Sequence, residues 1–143
     1  MKPTLLIAEG DAELCDIYRR FLTHRGYDVE TASDGLDCLA KLRRVTPAAV
    51  VLDHDLRWGG GDGVLAWLRE ESLTSGVPVV LTAMACCPPE VAEDVKPPVV
   101  QFLLKPFALT ALLESVRAAV AKEGPREPFN LNHALAGSEL FIG

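Results

Sequence analysis

Ala48-Ala49-Val50-Val51-Leu52-Asp53 is an apolar run that ends on a carboxylate, and the same chain repeats the pattern elsewhere. Leu5-Leu6-Ile7-Ala8 ends on Glu9, Val77 to Leu81 ends on Thr82, and Val99 to Leu104 ends on Lys105. None of these runs alternates apolar with polar residues, as a strand wetted on one face would. Short unbroken apolar runs mark strands buried on both faces, the situation in a parallel sheet covered by helices.

Helical patterns fill the intervals. Asp11 reads as an N-cap, and Leu14, Ile17, Tyr18, Phe21 and Leu22 recur at helical spacing up to Gly26. Tyr27 to Thr31 is a weaker strand. Asp34 caps a second helix through Leu36, Leu39 and Leu42 that ends before Pro47. A helix from Asp62 carries Val64, Leu65, Trp67 and Leu68, and the last runs from about Phe107 to Lys122. In that last helix Leu109, Leu112, Leu113, Val116 and Val120 share one face. Strands alternating with helices imply right-handed βαβ units, hence an α/β fold with a parallel sheet. No G-x-G-x-x-G follows the first strand and no G-x-x-x-x-G-K-[ST] occurs, which weakens dinucleotide and nucleoside-triphosphate readings.

In an open parallel sheet, ligands and chemistry gather outside the carboxyl ends of the strands. A carboxylate, a hydroxyl and an ammonium at three such ends describe a site able to accept and hold a phosphoryl group.

Composition narrows the class. The 143 residues suit one domain, and 49% hydrophobic with 24% charged residues is ordinary for a globular protein. A net charge of −6, with scattered Lys and Arg, argues against nucleic-acid binding. The longest apolar stretch, Val77 to Cys87, is far shorter than the roughly 20 residues that span a bilayer. The N-terminus lacks signal-peptide architecture, so the expected location is cytoplasmic, without a membrane partner. Cys15, Cys38, Cys86 and Cys87 show neither C-x-x-C nor zinc spacing and read as buried thiols.

These residues together resemble the receiver domain of bacterial two-component response regulators, over about residues 3 to 123. The anchors are Glu9, Val50-Val51-Leu52-Asp53, Asp62-Gly63, Pro78-Val79-Val80-Leu81-Thr82-Ala83 and Lys105-Pro106-Phe107. The resemblance implies a flavodoxin-like, doubly wound (βα)5 fold, a parallel five-stranded sheet in the order 2-1-3-4-5. It makes Asp53 the phosphoacceptor, charged by a sensor histidine kinase or phosphotransfer protein, and it implies a signalling protein rather than an enzyme. Carboxylates are competent nucleophiles in such transfer. By the same resemblance Lys105 pairs with the carboxylate and then the phosphoryl group, and Thr82 hydrogen-bonds a phosphoryl oxygen. Phe102 matches an aromatic that swings inward as Thr82 moves, and the Lys105-Pro106 bond is expected to be cis.

Several positions depart from the family pattern. Relatives carry two adjacent acids after the first strand, the second a direct Mg²⁺ ligand; here they read Glu9-Gly10. The metal set implied is Glu9, Asp53 and Asp55, with Asp11 as a further candidate or a plain helix cap. Mg²⁺ affinity is expected to fall, because two unit charges about 4 Å apart are worth about 4 kcal/mol at an effective dielectric near 20. Asp55 could also orient water against an acyl phosphate, or be a solvated loop acid. His54 reads as a packed neighbour more readily than as a general base. The loop His54-Asp55-Leu56-Arg57-Trp58-Gly59-Gly60-Gly61 is about two residues longer than in relatives. Its glycines read as a flexible loop, or as N–H donors to an anion. Asp53-x-Asp55 also echoes haloacid dehalogenase-type phosphatases, but no acid follows Lys105 before Glu114, where that family needs one.

Pro88-Pro89 and Pro97-Pro98 bracket Glu90 to Lys96, leaving room for only a short helix before the fifth strand. The resemblance places signalling on that face, so a remodelled output surface is expected. Residues 124–143 form a tail without an effector domain; it either packs along its own domain or reaches a second copy, giving a homodimer. Two functions follow: a single-domain receiver phosphorylated on Asp53, or a pseudo-receiver interaction module whose phosphorylation is weakened by Gly10.

Overall fold

In the computed structural model, residues 2–70, 76–84 and 95–121 are described. The chain runs β1 (Thr4–Ala8), α1 (Ala12–His24), β2 (Asp28–Ala32), α2 (Gly35–Arg44), β3 (Ala49–Asp53) and α3 (Gly60–Glu70). It continues with β4 (Val79–Met84), β5 (Val99–Lys105) and α4 (Leu109–Val120). All neighbouring strands pair in parallel, in the order β2-β1-β3-β4-β5. This is the doubly wound, flavodoxin-like sheet expected from the sequence. The short helix between the two proline pairs, Cys86, Cys87 and the tail lie outside the described residues.

The apolar runs divide their side chains between two cores. Leu6 and Ala8 of β1, Val50 and Leu52 of β3, and Val79, Leu81 and Ala83 of β4 pack with Cys38 and Leu42 of α2 and Val64, Leu65 and Leu68 of α3. The intervening residues, Leu5, Ile7, Ala49, Val51 and Val80, pack with Tyr18 and Leu22 of α1 and Leu112, Val116 and Ala119 of α4. That is why the runs show no polar alternation: helices cover both faces of the sheet.

Boundaries shift where hydrogen bonding outlasts the apolar run. Pro78 has no N–H to donate, so β4 starts at Val79, while the Pro78 carbonyl still accepts from Val50 N–H at 3.0 Å. At the other end β5 continues to Lys105 and pairs with β4 as far as Met84, so Thr82 lies inside its strand. The third helix begins at Gly60, two residues before the predicted cap at Asp62. Between Val79 and Val80 the β4–β5 register slips by one residue, leaving Val80 opposite Gln101 and Met84 opposite Lys105. Lys105-Pro106 is cis, as expected, and Pro97-Pro98 is cis as well.

Candidate phosphoryl-acceptor site

Side-chain parity builds the site. Residues i and i+2 of a strand share a face. Glu9 thus follows Leu5 and Ile7, Asp53 follows Ala49 and Val51, and Thr82 follows Val80, all on the face covered by α1 and α4. Asp53 and Thr82 are direct register partners. The slip in β5 brings Lys105 to the same face, because a one-residue change of register turns a side chain to the other side. Phe102 takes the opposite parity and is buried with the α2–α3 core.

The charges meet over the sheet's carboxyl end. Lys105 Nζ lies 2.5 Å from Glu9 Oε1 and 3.4 Å from Asp53 Oδ2. Glu9 Oε2 accepts from the Asp11 N–H at 3.0 Å, and Asp53 Oδ1 accepts from the Asp55 N–H at 3.0 Å. Glu9, Asp53 and Thr82 are all buried. Burial pushes the Glu9 carboxyl above its ordinary range, and the Asp53 charge adds to that. The Asp11 N–H and Lys105 pull in the other direction without cancelling it. One ammonium therefore serves two buried carboxylates, with the closer contact going to Glu9. Phe107, just past the cis bond, stacks on Tyr18 of α1 with ring centroids 5.6 Å apart, which anchors the segment carrying Lys105.

The remaining candidates stand outside this carboxylate–ammonium contact, although Asp11 and Asp55 line the same cleft. Asp11 caps α1, its Oδ1 accepting from Glu13 and Leu14 N–H groups at 2.9 and 3.1 Å. Asp55 holds the Asp53 carboxylate through its backbone N–H while its side chain is half exposed, 3.8 Å from His54 Nδ1. His54 is tied to β4 by its N–H, which donates to the Thr82 carbonyl at 2.8 Å. Among the described residues no three acidic, His or Cys side chains are grouped to hold a metal ion. The donor chemistry still suits Mg²⁺, which commonly takes one or two carboxylates and completes its shell with water and phosphate oxygens. Glu9 Oε1 fits that role: it is buried and makes an ion pair but no well-angled hydrogen bond.

The glycine loop is pinned rather than loose. Gly59 and Gly60 take φ of +103° and +66°, and the turn they make lets Gly61 enter α3 against the end of β3. The Gly61 N–H donates to the His54 carbonyl at 3.1 Å, so it is not available to an anion. Trp58 has φ +55°, a conformation uncommon outside glycine. The loop delivers Arg57 and Trp58 to the wall of a cleft of about 640 Å³ that also holds Glu9, Asp53 and Lys105. Sequence reading missed these two residues, since nothing local marks a tryptophan with positive φ.

The family model for the response regulator receiver domain matches residues 5–117. The chain belongs to the response regulator receiver domain family. Among curated relatives, the response regulator MprA of Mycobacterium sp. (strain KMS) is 34% identical over 128 residues, covering 89% of this chain and 54% of MprA. The transcriptional regulatory protein PrrA of Mycobacterium leprae is 31% identical over 123 residues, covering 85% of this chain and 52% of PrrA. The receiver thus spans about half the length of these relatives. Its fold is similar to that of the chemotaxis response regulator CheY4 of Vibrio cholerae, with a TM-score of 0.75 at 22% identity, covering 83% of this chain and 99% of CheY4. The Francisella response regulator 1452 receiver domain gives a TM-score of 0.77 at 21% identity, covering 85% of this chain and 98% of that one. As a receiver domain it is a component of two-component signalling, and no described helix is long and apolar enough to cross a membrane.

Proposed function

We propose that this receiver accepts a phosphoryl group on Asp53 from the phosphohistidine of a sensor histidine kinase or phosphotransfer protein, in the cytoplasm, and signals by altered protein contacts. The observation that carries this reading is the Lys105 ammonium beside a buried Asp53 carboxylate. Asp55 N–H occupies Oδ1, which leaves Oδ2, on the Lys105 side, as the attacking oxygen. The Oδ2–P bond forms as the histidine N–P bond breaks, and its electron pair returns to the imidazole nitrogen. Lys105 then pairs with a phosphoryl oxygen, and the Thr82 hydroxyl supplies a hydrogen bond from the neighbouring strand. Glu9 and Asp53 would hold Mg²⁺, with water standing where Gly10 offers no acid; the ion would neutralise charge on the phosphoryl oxygens. The protein is the acceptor in this exchange and not an enzyme acting on a further substrate.

Incubation with Mg²⁺ and acetyl phosphate, followed by intact mass measurement, tests the reading. A gain of one phosphoryl group by the wild type and none by Asp53→Asn is expected. No gain with acetyl phosphate or with a panel of phosphorylated histidine kinases would overturn it.

A further inference from the structure

The lengthened loop after Asp53 brings a cation to the cleft that the mechanism above leaves unused. Arg57 lines the same cavity as Glu9, Asp53 and Lys105. It is exposed, and among the described residues its guanidinium has no ion-pair or hydrogen-bond partner. That is a notable state for an arginine whose cleft is also lined by Asp11, Asp34 and Asp55. The backbone beneath it is held from two directions. The Gly35 N–H at the start of α2 donates to the Arg57 carbonyl at 2.8 Å, and a β-carbon on Gly35 would strike the Trp58 carbonyl oxygen. Trp58 has φ +55°, and Gly59 and Gly60 complete the turn. The extra loop length is thus folded into a support that fixes where the Arg57 side chain starts.

We propose that Arg57 is a phosphoryl-binding residue, supplying a second cation beside Lys105 to the group transferred to Asp53. The inference rests on the phosphoacceptor reading of this cleft. The charge balance supports it. Lys105 already serves two carboxylates, and it lies closer to Glu9 than to Asp53. An arriving phosphoryl group adds between one and two negative charges at neutral pH. The position where the family places a second metal-binding acid is Gly10, so a divalent ion is held less tightly and occupies the site less of the time at a given concentration. A guanidinium meets this need from the rim, since its planar fork pairs with phosphoryl oxygens through two parallel hydrogen bonds.

The test compares wild type, Arg57→Ala and Arg57→Lys at one Mg²⁺ concentration, with acetyl phosphate and intact mass as the clock. Arg57→Ala is expected to be phosphorylated about tenfold more slowly, the effect of losing one charge-assisted hydrogen bond at an exposed site. Arg57→Lys should fall between them, because it keeps the charge and loses the fork. Equal rates for wild type and Arg57→Ala would overturn the inference while leaving the acceptor reading intact. A second measurement separates the two if the wild type gains no phosphoryl group. Beryllofluoride, which mimics the acyl phosphate, is titrated in Mg²⁺ while tryptophan fluorescence is followed. Weaker binding by Arg57→Ala would then uphold the role of Arg57; equal binding, or none by the wild type, would overturn it. Thermal unfolding of the variants should match the wild type, since the loop is pinned through the Arg57 carbonyl and not its side chain.

Discussion

Gly61 lies so close to Asp53 that a β-carbon added to it would stand 2.6 Å from the Asp53 carbonyl oxygen and 2.6 Å from His54 Cα. Both obstacles are backbone, at the end of the central strand, and neither can turn aside as a side chain would. Gly61→Ala is therefore expected to push α3 away from β3, with a cost of about 1–3 kcal/mol, the range for overpacked sites. Gly63, two residues further along the same helix, has nothing within 4 Å of its added β-carbon. Gly63→Ala should stabilise by about 0.5–1 kcal/mol through helix propensity alone. Urea unfolding of both variants checks the pair; equal effects would show that the close approach to Asp53 is not what requires glycine.

The contrast between these glycines shows where sequence reading succeeds and where it stops. Glu9, Asp53, Thr82 and Lys105 were legible because each ends or closely follows an apolar run, and a strand's parity carries its last residue to a definite face. Asp11 and Asp34 were legible as caps, each accepting a hydrogen bond from backbone N–H groups of the first turn. The slip between Val79 and Val80 was not, although it decides the face that Lys105 reaches. No residue type announces such a slip, which lies in the pairing of β4 with β5 and not in either run alone. The Gly59-Gly60-Gly61 run had the opposite fault. Its composition suggested mobility, whereas the Gly61 N–H donates to the His54 carbonyl and the Gly35 N–H, distant in sequence, holds the Arg57 carbonyl just before the run.

Gly10 offers room for the acid it lacks. A β-carbon there would meet only the Ser33 carbonyl oxygen, at 3.8 Å, an ordinary contact. Gly10→Asp should consequently fold normally and add a carboxylate beside Glu9. One added charge near a divalent ion has a gross attraction of several kcal/mol at an effective dielectric near 20, reduced by the water it displaces. Calorimetric titration is expected to show Mg²⁺ bound at least tenfold more tightly than by the wild type. Unchanged affinity would place the metal away from the end of β1.

Lys105 separates two carboxylates that would otherwise share a buried site. Its loss in Lys105→Met leaves Glu9 and Asp53 without their common cation, and removing one partner from a buried ionic group costs about 3–5 kcal/mol. The cost arises from the stranded charges rather than from lost attraction. Glu9→Gln should then be more favourable in the Lys105→Met background than alone, and a cycle of four proteins should show coupling of about 1 kcal/mol or more. Additive effects in urea unfolding would mean that Lys105 and Glu9 act independently.

The raised pKa of Glu9 gives the pH dependence its sign. Burial is the main cause, and the ordinary value is 4.5. Below that value the carboxyl is protonated in folded and unfolded chains alike. Above it the unfolded chain releases the proton first, while the folded chain retains it until the pH passes the raised value. The folded state binds more protons through this window, so stability contributed by Glu9 is lost as pH rises through it. Glu9→Gln has no proton to lose at this position. Melting temperatures of wild type and Glu9→Gln, measured without metal from pH 4 to 7, should therefore shift in favour of the variant as pH increases. A shift in favour of the wild type would mean that pairing with Lys105 outweighs burial, and that Glu9 is held charged in the folded protein.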